Sequence, residues 1–151
     1  MRASPFVSQE MTDFDPTERE LEALKVLWER GEATVREICD AMNTSSGEQL
    51  AYTTVLSLLQ VMEQKSLVNH RREGKAYVYL PKVEREKTLS GLAAGFLERV
   101  FDGSLDEYLV HALGTRKVSK RELDQLEEML ADARRKKSAR TSKHQRQGER
   151  P

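Results

Sequence analysis

Between Gln49 and Lys82 the chain sets a run of hydroxyl and amide side chains ahead of a knot of cations. Gln49, Tyr52, Thr53, Thr54 and Ser57 recur at the spacing of one helix face, and Arg71, Arg72, Lys75 and Tyr77 follow around Gly74. Hydroxyls and amides held against base edges can read the donor and acceptor pattern of a duplex major groove, and threonine methyls can meet thymine methyls. Lysines and arginines displace the counterions condensed on phosphates. No Lys or Arg falls between Gln49 and Gln64, so bidentate guanine recognition from that segment is not expected. The pattern predicts base readout by uncharged groups and backbone anchoring by the cationic hairpin. The expected partner is double-stranded DNA.

Other chemistries lack their residues. There is no Gly-rich phosphate loop, no paired His/carboxylate motif and no Cys–His arrangement, so no enzyme and no cofactor is expected. His70, His111 and His144 are scattered without metal-ligand spacing, and no metal is expected. The single cysteine, Cys39, excludes an intramolecular disulfide and reads as a small buried hydrophobe. The longest uncharged stretch, Gln49 to Met62, is too short and too polar to span a bilayer. With no signal-peptide pattern at the N-terminus, the expectation is a soluble, cytoplasmic protein without a membrane partner.

The 25 basic and 25 acidic side chains cancel overall, but not locally. Residues 134–151 hold eight Lys or Arg against Glu149 alone, while Pro16 to Glu48 holds eight acids against four bases. A polyanion is therefore expected to meet a strip of the molecule and not its whole surface.

Positioning a polar helix face beside a basic hairpin requires a scaffold, and the periodicities supply one. Residues 1–15 read as a flexible arm. Thr17 with Glu20 is a capping box that opens a first helix, with Leu21, Leu24, Leu27 and Trp28 inward and Gly31 as its stop; Thr34 with Glu37 opens a second. After a polar linker, Asn43 to Gly47, a third helix is expected from about Gln49 to Lys65, with Val55, Leu58, Leu59 and Met62 buried. Two β-prone runs, Leu67 to Arg72 and Ala76 to Leu80, flank Gly74 as a hairpin, with Tyr79 expected to pack on the helices. Residues 16–82 thus read as a winged helix-turn-helix domain, and a module of that shape that docks a protein in place of DNA is the alternative.

Residues 83–133 read as a second, three-helix domain, so the whole is mainly α. Its apolar stripe is too rich for so small a unit. Leu89, Leu92, Phe96 and Val100 lie on the first helix, Leu105, Leu109 and Leu113 on the second, and Leu126 and Leu130 on the third. Small domains gain the missing burial by association, so these residues are expected to form a homodimer interface. The basic segment 134–151 is expected to be disordered.

Several stretches resemble the BlaI/MecI, or penicillinase-repressor, family of bacterial regulators. They are Ala51-Tyr52-Thr53-Thr54-Val55 with Leu58-Leu59 and Lys65, the wing from Glu73 through Tyr79 to Pro81, Glu20-Leu21 through Trp28, Thr34 through Ile38, and Phe96-Leu97 through Leu105. The resemblance covers about residues 16 to 133. It implies a winged-helix domain, a helical domain that intertwines in a homodimer, palindromic operators, and repression of antibiotic- or stress-response genes. It leaves any upstream sensor or protease unidentified. Val61 stands where the family has Arg and Ser66 where it has Gly. The Asn-Phe bond cleaved in staphylococcal members aligns with His111-Ala112, and the Cys-rich copper hook of other members has no counterpart after Cys39.

Overall fold

The computed structural model describes residues 15–148, so all but Asp15 of the expected arm lies outside the described residues. The order is α1 (Glu18–Arg30), β1 (Ala33–Thr34), α2 (Val35–Ser46), α3 (Tyr52–Gln64), β2 (Val68–Glu73), β3 (Ala76–Pro81), α4 (Arg85–Phe101), α5 (Leu105–Gly114) and α6 (Lys120–Gly148). The fold is mainly helical, a winged helix-turn-helix followed by a helical region.

Local chemistry sets the helix starts. Thr17 and Thr34 each accept from the amide three residues on, and Glu20 and Glu37 reach back to the cap amide, so both capping boxes form. At α6 the box is half made: Ser119 accepts from the Glu122 amide at 3.1 Å, while the Glu122 carboxylate takes the Arg116 guanidinium at 2.8 Å.

Two boundaries differ from the sequence expectation. The residues expected as a linker, Asn43 to Gly47, mostly continue α2, which ends at Ser46 with Gly47 left-handed at φ 71°. The reason is long-range. The Asn43 side chain is taken up by Leu50, accepting from its amide at 2.7 Å and donating to its carbonyl at 3.0 Å. That clamp holds residues 47–51 out of helical geometry, so α3 begins at Tyr52 with Ala51 as its cap. The second difference is β1, which pairs with β3 through Ala33–Tyr79 and Thr34–Val78 and turns the hairpin into a three-stranded sheet of order β1-β3-β2.

A compact unit runs to Phe96 and a second begins at Leu97. The division falls inside α4 and not between residues 82 and 83 as expected, since Trp28 Nε1 donates to the Val83 carbonyl at 3.0 Å just ahead of that helix. The first unit owns the core: Leu24, Leu27, Ile38, Met42, Val55, Leu59, Met62, Val68 and Tyr79 are all sealed from solvent. Glu20 is buried among them at 2% exposure, and its Oε1 accepts from Lys65 Nζ at 2.9 Å and from the Thr17 amide. An unpaired carboxylate there would be costly, so Lys65 is a structural cation that ties the end of α3 to the start of α1.

The turn after α3 uses a residue ill suited to it. The Leu67 amide donates to the Met62 carbonyl at 2.9 Å and the Ser66 amide to the Glu63 carbonyl at 3.0 Å, a Schellman arrangement. It requires a left-handed residue, and Ser66 adopts φ 65° without the freedom of Gly.

In the second unit Phe101 meets Tyr108 edge-on at 5.6 Å and lies tilted against His111 at 5.7 Å. No residue of α4 or α5 is fully buried. The segment expected to be disordered after Arg134 instead continues α6 to Gly148. Ala, Arg, Lys and Gln favour helix and no Gly or Pro interrupts them before Gly148. No helix among the described residues is long and apolar enough to cross a membrane.

Candidate nucleic-acid interface

Helix α3 turns one stripe inward and one outward. Val55, Leu59 and Met62 are buried and Leu58 is partly so, while Tyr52, Thr53, Thr54, Ser57 and Gln60 are exposed. Gln49 is exposed too, but it precedes the helix on the segment held by Asn43. Four of the five expected reading residues therefore share α3, and the fifth flanks its N-terminus.

Thr17, Thr34, Ser104 and Ser119 cap α1, α2, α5 and α6, whereas Ala51 offers α3 no side-chain acceptor. The first amides of α3 are left to solvent or a ligand, at the end of the helix that favours negative charge. Arg36, on the first turn of α2, lies 5.8 Å from the centre of the Tyr52 ring.

The wing meets the same place. Gly74 opens the two-residue loop at φ 62°, the positive value that hairpin loops matching strand twist demand. The register pairs His70 with Tyr79, Arg71 with Val78 and Arg72 with Tyr77. Alternation then sorts the hairpin by face. His70, Arg72, Tyr77 and Tyr79 share one side, with Arg72 over the Tyr77 ring at 5.5 Å and His70 edge-on to it at 5.6 Å. His70 also contacts Glu63 of α3 at 2.5 Å, which fastens the base of the wing to that helix. Tyr79 is buried, and that burial together with the Glu63 carboxylate pushes its phenol upward.

Arg71 takes the opposite face. Its guanidinium grips both carboxylate oxygens of Glu32 and lies 3.3 Å from Glu73. The hydrogen bond with Arg71 holds the Glu32 carboxyl below its ordinary range, and Glu32 raises Arg71 in turn. Arg71 must release Glu32 before it can serve a phosphate. Arg72 and Lys75 carry no such bidentate restraint.

Thr34, Val35, Arg36, Tyr52, Lys75, Ala76 and Tyr77 line one open notch of about 360 Å³. It brings the start of α2, the start of α3 and the wing tip together, two cations and two phenols around a helix end with unfilled amides. Such a surface can hold phosphate oxygens beside a helix whose exposed face presents hydroxyls. Sequence reasoning missed Arg36. Its signal was position alone, two residues past a capping threonine. On the far flank of α3, Val61 is exposed and lines an apolar groove with Thr54, Ser57 and Lys65.

The residues expected to bury a second copy divide by exposure. Leu89, Leu92, Leu109 and Leu126 are half-buried, whereas Phe96, Val100, Leu105, Leu113 and Leu130 are exposed, Val100 at 54% and Leu105 at 56%. The His111-Ala112 bond lies within α5.

Comparison with known proteins returns one family. The profile described as "Penicillinase repressor" matches residues 16–132. The penicillinase repressor of Bacillus licheniformis is 24% identical over 121 residues, spanning 80% of this chain and 93% of the relative. The transcriptional regulator BlaI of Mycobacterium tuberculosis is 37% identical over 108 residues, 70% of this chain and 75% of the relative. A solution structure of the DNA binding domain of the repressor BlaI aligns at a TM-score of 0.41 and 26% identity, covering 46% of this chain and 82% of that one.

Proposed function

The chain belongs to the penicillinase repressor family, and from that premise we propose that it is a DNA-binding transcriptional repressor acting as a homodimer on palindromic operators. The observation that carries the reading is the notch where Arg36, Tyr52, Lys75 and Tyr77 converge beside the exposed hydroxyls of α3. In this reading α3 enters the major groove. Thr53, Thr54, Ser57 and Tyr52 reach base edges, and Gln49 approaches from the preceding segment. Arg72, Lys75, Tyr77 and Arg36 anchor the adjoining backbone, and Arg71 joins them when a phosphate outcompetes Glu32.

The exposed apolar residues from Phe96 to Leu130 support self-association. A two-fold dimer presents two copies of α3 to half-sites about one or two turns of duplex apart. Repression then follows from occupying a promoter, and the targets in this reading are antibiotic- or stress-response genes. No enzymatic step enters this account, and no cofactor is required.

The test is footprinting of the full-length protein on DNA upstream of its own gene, with selection from a random duplex pool. A protected sequence with two-fold symmetry is expected. Thr53→Ala with Thr54→Ala should weaken the selected site more than random duplex, by about tenfold or more. Equal losses on both would remove base readout from α3. Arg72→Gln with Lys75→Gln should lower the slope of log affinity against log salt by about two per protomer. An unchanged slope would remove the wing from the interface.

A further inference from the structure

Helix α6 is one continuous element with two chemistries. From Lys120 to Ala133 it carries Leu123, Leu126, Met129 and Leu130 among five acids and two bases. From Arg134 to Gly148 it has seven Lys or Arg and no acid, and Ala139 is the only apolar side chain. Arg135 reaches back to Asp132, the last carboxylate before this stretch. The backbone register places Lys136, Arg140 and Lys143 along one line, at i, i+4 and i+7.

A basic helix end is partly explained by the helix dipole, which favours cations at the C-terminus. That effect is confined to the last turn, and here the cations run back through about four. Packing does not explain them either, since residues 134–142 are all exposed. Like charges one turn apart repel, so the stretch opposes its own helix until an external anion neutralises it. The absence of an apolar face argues against a bilayer surface, where insertion of such a face supplies much of the affinity. What remains is a regular rod of charge about 22 Å long. Duplex of the same length carries about 13 phosphate charges.

We propose that the second half of α6 is an additional, sequence-independent DNA contact, through which each protomer grips duplex flanking the operator. This rests on the repressor reading above. It assigns to Arg134, Lys136, Lys137, Arg140 and their neighbours a share of affinity that the winged helix does not supply. The flanks then contribute to binding strength and not to sequence choice.

The experiment compares the full-length protein with a variant in which Arg134, Arg135, Lys136, Lys137 and Arg140 are all replaced by Gln, itself a good helix former. Two duplexes share the selected operator, one trimmed to its edges and one carrying about 15 unrelated base pairs on each side, a length chosen to exceed the reach of the basic rod. At ~0.1 M salt the wild type should bind the flanked duplex at least about tenfold more tightly than the trimmed one, with a salt slope steeper by two or more. The Gln variant should lose that gain and keep its affinity for the trimmed duplex within about twofold. Arg134→Lys with Arg135→Lys and Arg140→Lys should retain the gain, because point charges suffice for phosphate.

A flank gain that survives in the Gln variant, or is missing from the wild type, overturns the proposal. Should the trimmed duplex bind neither protein, the repressor reading fails. The same pair of proteins on a random duplex of ~40 base pairs then reads the basic helix by itself, and equal salt slopes there overturn it too. A hairpin RNA that displaces the protein at lower concentration than DNA of equal length would also overturn the assignment to DNA.

Discussion

The two compact units solve the problem of apolar surface in opposite ways. The unit ending at Phe96 closes on itself. Leu24, Leu27, Ile38, Leu59 and Val68 are completely buried by one chain, and what it exposes along α3 is hydroxyl and amide apart from Val61. The unit beginning at Leu97 leaves Val100, Leu105, Val110, Leu113, Met129 and Leu130 open to solvent, and α5 contains no fully buried residue. Apolar side chains left outside in the monomer are normal when scattered, but grouped on consecutive helices they support the self-association proposed above. Damage to the first unit should therefore be a folding defect, and damage to the second an assembly defect.

The largest expected effect lies in the second unit. Val100→Lys with Leu105→Lys leaves the monomer's own buried contacts alone but places four charges in a two-fold interface. Dimer affinity should fall by at least about a thousandfold, giving monomers by sedimentation at micromolar concentration. A persistent dimer would move the interface elsewhere and erase the contrast between the units. Next in size, Leu59→Ala should cost about 2–5 kcal/mol of first-unit stability, seen as an earlier denaturant midpoint with the dimer intact. Loss of the dimer in that variant would show that the units are not separable. The smallest change sharpens the picture in the favourable direction. Ser66→Gly relieves a left-handed non-glycine residue and should stabilise the first unit by about 1 kcal/mol, without altering self-association.

Much of this was legible in the sequence because it is local. A capping threonine and its glutamate are three residues apart, and Thr17/Glu20 and Thr34/Glu37 form as written. The hairpin around Gly74 and the buried stripe of α3 follow from periodicities of two and about 3.6. What escaped depends on partners distant in sequence. Asn43 fixes where α3 begins by binding Leu50, and Glu32 engages Arg71 from 39 positions away. Two-residue β1 is too short to leave a pattern, and its Thr34 carries the stronger signal of a helix cap. The run of α6 past Arg134 is hidden for another reason: the apolar face ends there, although the residues that follow favour helix and nothing stops them before Gly148. Within the candidate interface the exposed polar face was readable, while the role of Arg36 required knowing that Tyr52 and Lys75 fold beside it.

The indole bound to the Val83 carbonyl belongs to the only tryptophan in the chain. Its intrinsic fluorescence is therefore a built-in reporter of the first unit alone, while circular dichroism sums the helices of both. Heating the protein while recording both signals would resolve two melting events with no label attached, and a single shared midpoint would mean that the halves unfold as one cooperative body.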